Sequence, residues 1–142
     1  MNIKYILKLL MLFQCAESLA QHTHTTPSKT TWQHSVIFNK SFTDSLYAGK
    51  EINVVNFVVP PGAKDTVVHQ HDCQLIGYIA EGAVITKMKD KEPLRLIKGQ
   101  VFYEYPNEVH ESLINPDTQH EAVIILYYLY QKGAVLYKKL DK

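Results

Sequence analysis

From Trp32 onward, hydrophobic and polar positions alternate in short runs closed by turn signals, and no stretch holds a convincing ten-residue helical period. The first good strands are Trp32 to Asn39 and Glu51 to Val59. Between them Thr43-Asp44-Ser45 and Ala48-Gly49-Lys50 break the pattern, so Ser41 to Lys50 reads as a loop or a short edge strand. Further strands are expected at Thr66 to His71, Leu75 to Ala80, Ala83 to Lys89, Leu94 to Ile97, Val101 to Tyr105, Val109 to Ile114 and Glu121 to Tyr130, with a last piece at Ala134 to Tyr137. Pro60-Pro61-Gly62, Glu81-Gly82, Lys98-Gly99-Gln100, Pro106-Asn107 and Asn115-Pro116-Asp117 separate them. Many short strands at regular spacing predict an all-β sandwich or barrel.

One run breaks the alternation. Ala122 to Tyr130 is apolar on both faces, so one face lines the core and the other calls for a cover, either the N-terminal strand or a second copy of the chain in a homodimer. Upstream of Trp32 the pattern changes again. Residues 21–31 are rich in Thr, Ser, Gln and His with one Pro and no apolar side chain, a composition that reads as a flexible tether whose His22 and His24 are incidental. Residues 1–20 join a polar, positive start to an apolar run at Ile6 to Phe13 and a Ser18-Leu19-Ala20 ending, the form of a secretory signal peptide cut after Ala20. The apolar run is far shorter than the ~20 residues of a membrane span, so no integral span is expected. The chain reads as exported to the periplasm or beyond. Lipidation at Cys15 is the rival reading, opposed by the absence of a small residue just before it.

Composition narrows the partners. A length of 142 residues, 46% hydrophobic and 20% charged, suits one domain with its own core, here residues 32–142. Removing the leader takes Lys4, Lys8 and Glu17 from totals of 15 basic and 14 acidic side chains, leaving 13 of each. A neutral chain with a single arginine, Arg95, is a poor match for nucleic acid or an anionic membrane, and a small molecule is the expected partner. The mature chain keeps one cysteine, Cys73, so no internal disulfide supports the fold.

The candidate chemistry lies in His69-Gln70-His71. Side chains two apart on a strand project from the same face and can hold one ion between them. A third histidine, His110, follows Pro106. With these residues in view, Pro61-Gly62 through His69 and His71 to Glu81-Gly82, then Gly99 through Pro106 to His110 and Asn115, resemble the two motifs of the cupin superfamily over roughly residues 50 to 130. The resemblance implies a small single-domain jelly-roll β-barrel. It further implies a divalent metal held by His69, His71 and His110, with a glutamate ligand at the position occupied here by Leu75.

The carboxylate is thus missing from its place. Three neutral imidazoles leave the ion its full charge and more open positions, and they suit Fe, Zn, Cu or Ni, with Mn the poorer match. Gln74, next to the vacated position, could bring an amide oxygen to the metal after a small register shift. Glu104, expected to share a face with Phe102, could act in the pocket as proton acceptor or as partner to a ligand histidine. Tyr78 and Tyr103 read as packing residues, Cys73 as a loop thiol, and His34 and His120 as surface residues. The function this implies is a metal-dependent dioxygenase of a small organic substrate. The alternative is a non-enzymatic barrel that binds a small ligand or a metal.

Overall fold

The computed structural model describes residues 31–141, so the expected leader and nearly all of the tether lie outside the described residues. Within them every regular element is a strand. In chain order these are β1 (Gln33–Ser41), β2 (Lys50–Val59), β3 (Lys64–Asp65), β4 (His69–Gln70), β5 (Gln74–Glu81), β6 (Ala83–Met88), β7 (Leu94–Ile97), β8 (Val101–Glu104), β9 (Val109–Ile114), β10 (Ala122–Gln131) and β11 (Lys138–Lys139). None of the described residues forms a helix able to cross a membrane.

The strands make two antiparallel sheets. One runs β1-β2-β10-β5-β8; the other runs β11-β4-β9-β6-β7, with β3 also paired to β9. The chain crosses from the first sheet to the second within one turn, between β5 and β6. That corner is Gly82, at φ +69°, where a Cβ would come within 3.0 Å of the Glu121 carbonyl oxygen and 3.1 Å of the Ala122 Cα. Only glycine accepts both the dihedral and the close approach. The sheets face each other as in a jelly roll and enclose Val55, Val59, Leu75, Ile79, Val84, Leu96, Leu113, Ile124 and Leu126.

The strand pattern places most elements within a residue or two; the exceptions are β3, which it does not anticipate, and two further segments. The expected strand Thr66 to His71 shrinks to His69–Gln70, because the Val67 amide donates to the Asp65 side chain at 2.8 Å and turns the chain before pairing begins. Ala134 to Tyr137 is a loop, and pairing starts only at β11, where Lys138 and Lys139 join Gln70 and His69. Cys73 lies in the turn between β4 and β5, as expected of a loop thiol, and is buried there at 3% exposure.

The central strand β10 pairs with β2 on one side and β5 on the other, and its alternate residues Ala122, Ile124, Leu126, Tyr128 and Tyr130 point inward. The N-terminal strand does not cover its outer face. β1 instead extends the sheet edge by pairing with β2.

Candidate metal centre

The three histidines predicted to act together do meet. β4 and β9 pair antiparallel with His69 directly opposite His110, so both rings project from the same face of the sheet. His71 follows β4 by one residue and keeps the same side. The His69 ring centroid lies 5.0 Å from that of His71 and 4.7 Å from that of His110. All three are buried, at 6%, 8% and 6% exposure.

Each ring is oriented from behind. His69 Nδ1 donates to the Val67 carbonyl at 2.8 Å, and His71 Nδ1 donates to the Leu136 carbonyl at 2.6 Å. A carbonyl oxygen only accepts, so both Nδ1 atoms carry the proton and both Nε2 atoms present a lone pair. His110 Nε2 is paired with the Thr86 hydroxyl at 2.8 Å, and its Nδ1 faces His69 Nε2 at 3.2 Å. The Thr86 hydroxyl can donate to that nitrogen or accept from it, so it accommodates either tautomer of His110. Tyr137 stacks on His69 with centroids 4.6 Å apart, and Tyr128 meets the edge of His71 at 5.8 Å.

Burial favours the neutral form of His110 and His71. Desolvation, then the neighbouring His69 and His71, lowers the pKa of His110 from its ordinary value to about 4. Burial also lowers His71, partly offset by its bond to Leu136, with His69 lowering it further. Neutral imidazole is the form that ligates.

Glu104 enters the same space from β8. It is 5% exposed, shares the cavity wall with Phe102, and its Oε2 lies 3.8 Å from His71 Nε2. That oxygen is buried with no hydrogen-bond partner among the described residues. Burial, then Glu108, raises the carboxyl to about 7. The four side chains open onto a cavity of about 490 Å³ whose wall includes Val55, Leu75, Phe102, Ile124 and Leu126.

The remaining candidates fall elsewhere. Gln74 is exposed on the face of β5 opposite Leu75 and is paired in register with Leu129, so the shift that would carry its amide inward has not occurred. Tyr78 and Tyr103 stand 38% and 41% exposed on the outside of the sheet, and His120 is exposed beside Asp117. His34 is exposed yet borders the cavity mouth, edge-on to Phe57. Burial holds the Cys73 thiol at about 12, which argues against a thiolate ligand. Sequence reasoning missed Thr86, Tyr128 and Tyr137; alternation could have pointed Thr86 inward, whereas the tyrosines reach the rings only through the fold.

Among the described residues no three His, Cys, Asp or Glu side chains close around a single point. The donors are grouped two and two, His69 with His110 and His71 with Glu104. They nevertheless fit a divalent ion, because the set comprises three imidazoles and a buried carboxylate oxygen that no other described residue satisfies.

Comparison with known proteins agrees with this architecture. A family model described as "Cupin domain" matches residues 55–128. No curated protein matches the chain at a significant level. Among solved structures, a conserved protein with a double-stranded β-helix domain from Klebsiella pneumoniae is similar at 18% identity and TM-score 0.59, over 82% of this chain and 90% of that one. A cupin-like protein from Thermotoga maritima is similar at 22% identity and TM-score 0.55, over 77% and 75%. The DMSP lyase DddQ from Ruegeria pomeroyi is similar at 14% identity and TM-score 0.55, over 76% of this chain and 59% of that one. At such identities the likeness is one of fold.

Proposed function

Because the chain belongs to the cupin superfamily as a single-domain member, we propose that it holds one divalent metal on His69, His71 and His110 and acts there on a small organic molecule, with dioxygenation as the reaction class. The observation that supports this best is the grouping of three buried imidazoles on the wall of a largely apolar cavity of about 490 Å³. A cavity of that size accepts a ligand of modest size and buries most of it. The metal, when bound, would supply Lewis acidity toward a substrate oxygen and, if redox-active, a path for electrons from the substrate to O₂.

The chain's own residues do the rest. The Val67 and Leu136 carbonyls fix the His69 and His71 rings with Nε2 forward, and Thr86 holds His110 by Nε2, leaving its Nδ1 forward. Leu75, Phe102, Ile124 and Leu126 hold the hydrocarbon part of the substrate and exclude water. Glu104, whose Oε2 lies 3.8 Å from His71 Nε2, takes the proton of an enolic or phenolic hydroxyl in this proposal. Tyr137, half exposed over His69, borders the entrance.

The leader-like first twenty residues support action in the periplasm or outside the cell, where intact-mass measurement of the secreted protein is expected to find Gln21 as the first residue. We assign the outer face of the five-stranded sheet to a second copy of the chain. The decisive assay is oxygen uptake by Fe(II)-loaded protein across catechols, flavonols and β-diketones. Substrate-dependent uptake, abolished in His69→Ala/His71→Ala, is the expected result. Saturable ligand binding with no uptake from any candidate would instead identify a non-enzymatic binding barrel.

A further inference from the structure

Resting on the three-histidine reading above, we infer that Glu104 is the fourth ligand of the site, delivering from β8 the carboxylate that the family pattern delivers from position 75 of β5. The register makes the transfer possible. Leu75 and Glu104 are direct antiparallel partners, and side chains directly opposite each other project from the same face with Cβ atoms ~5 Å apart. Both line the cavity. Moving the carboxylate one strand sideways therefore keeps it at the same level of the barrel.

The position of the carboxylate oxygen separates a ligand from a supporting role. A group that supports a ligand histidine sits behind it, on the nitrogen that does not ligate. For His71 that nitrogen is Nδ1, and the Leu136 carbonyl already occupies it. Glu104 Oε2 lies instead in front, 3.8 Å from Nε2, too far for a hydrogen bond to that lone pair. Two electron-rich atoms buried face to face, one of them without any partner, are the arrangement a cation between them would stabilise. The spacing agrees. With bonds of ~2.1 Å, two donors on one ion are ~3.0 Å apart at a right angle and ~4.2 Å apart when opposed. The 3.8 Å separation here falls within that range, as does the 3.2 Å between His69 Nε2 and His110 Nδ1.

A fourth ligand of this kind lowers the charge of the site to +1 and leaves two of six octahedral positions for the two oxygens of a chelating substrate. Monodentate binding leaves the second carboxylate oxygen for the proton. It also explains how Leu75 is tolerated at the glutamate position and why Gln74 is not needed.

The test uses Co²⁺ as probe on the full mature chain, read by equilibrium dialysis and by the visible d–d spectrum, without reference to turnover. Glu104→Gln, which keeps shape and removes charge, is expected to weaken Co²⁺ binding about 100-fold or more and to change the spectrum. The exchange variant Leu75→Glu/Glu104→Leu is expected to return affinity to within about 10-fold of wild type, since the carboxylate then comes from the facing strand. Unchanged affinity and spectrum in Glu104→Gln, with binding lost in His69→Ala/His71→Ala, overturns the inference and leaves the three-histidine site standing. Binding unaffected in His69→Ala/His71→Ala as well overturns the metal reading and the inference together.

Discussion

Glu104 and His110 share one cavity wall, and burial moves their proton affinities toward opposite consequences for stability. The Glu104 carboxyl is raised from 4.5 to about 7, so the folded state binds its proton more tightly than the unfolded chain does. The stability this contributes is complete below pH 4.5 and is lost as pH rises through 7. His110 is lowered from 6.5 to about 4, so its contribution is complete above pH 6.5 and is lost as pH falls through 4. Between pH 4.5 and 6.5 the two slopes oppose each other in the metal-free protein. Glu104→Gln removes one of them. Urea titrations in chelator are therefore expected to find the variant more stable than wild type at pH 8 by on the order of 3 kcal/mol, with the difference fading toward pH 4.5. The variant should then lose stability steadily from pH 6.5 down to 4, as His110 alone dictates. A variant less stable than wild type at pH 8 would show that the carboxylate is already satisfied without an ion. Thr86 gives a second test at this scale. Thr86→Val keeps the shape but leaves His110 Nε2 unpaired, and metal affinity measured by calorimetry is expected to fall about 10- to 100-fold.

At the scale of elements, the site depends on register, which makes Gly77 informative. It lies opposite Phe102 in the β5 to β8 ladder, and a Cβ there would fall within the Phe102 ring. Gly77→Ala must push the ring toward the cavity. The expected result is a loss of about 1–3 kcal/mol in thermal or urea denaturation, together with weaker binding of the bulkier ligands in a panel. The strands carrying this geometry were legible because alternation and turn residues mark them directly: β5, β6, β7 and β9 lie within a residue or two of their expected bounds. The histidine trio was legible because paired strands convert sequence spacing into a shared face. The inward turn of Glu104 followed from the same alternation with Phe102. What escaped was set by contacts distant in the chain. The Asp65 side chain cuts β4 short, and the bond of Asp72 to the Val135 carbonyl draws the last segment over His71 as a loop. Cys73 is buried because that segment and β10 close over it, and nothing local to Asp72-Cys73-Gln74 signals that. Gln74 could be excluded as a ligand only once its pairing with Leu129 was fixed.

For the whole molecule, no described residue covers the outer face of the five-stranded sheet. Phe38, Val54, Tyr127, Ile76 and Tyr103 are successive partners across all five strands, one uncharged row from edge to edge. Phe38, Tyr127, Ile76 and Tyr103 are 52%, 37%, 44% and 41% exposed. Beside them Ile125, Tyr78 and Val101 form a second apolar run. A monomer seldom leaves so continuous an apolar face in water. With strands ~4.8 Å apart and ~20 Å long, the face presents about 500 Å². Two copies meeting across it would bury about 1,000 Å², near the lower bound of a specific interface. These two rows carry no charge, Lys40 and Lys50 lying beyond them toward one end of the face and Glu81 at the other, and a two-fold contact requires only that the rows match themselves. The expected outcome is reversible dimerisation at micromolar concentration, seen as a concentration-dependent mass in sedimentation equilibrium. Tyr127→Lys places an ammonium at the middle of the row, where it would lie close to its symmetry mate, and should leave the protein monomeric at all concentrations. Because Tyr127 points away from the cavity that Leu126 and Tyr128 line, Co²⁺ affinity should not change. A wild-type chain that sediments as a monomer at ~100 µM, well above a micromolar dissociation constant, would remove the second copy as the occupant of this face.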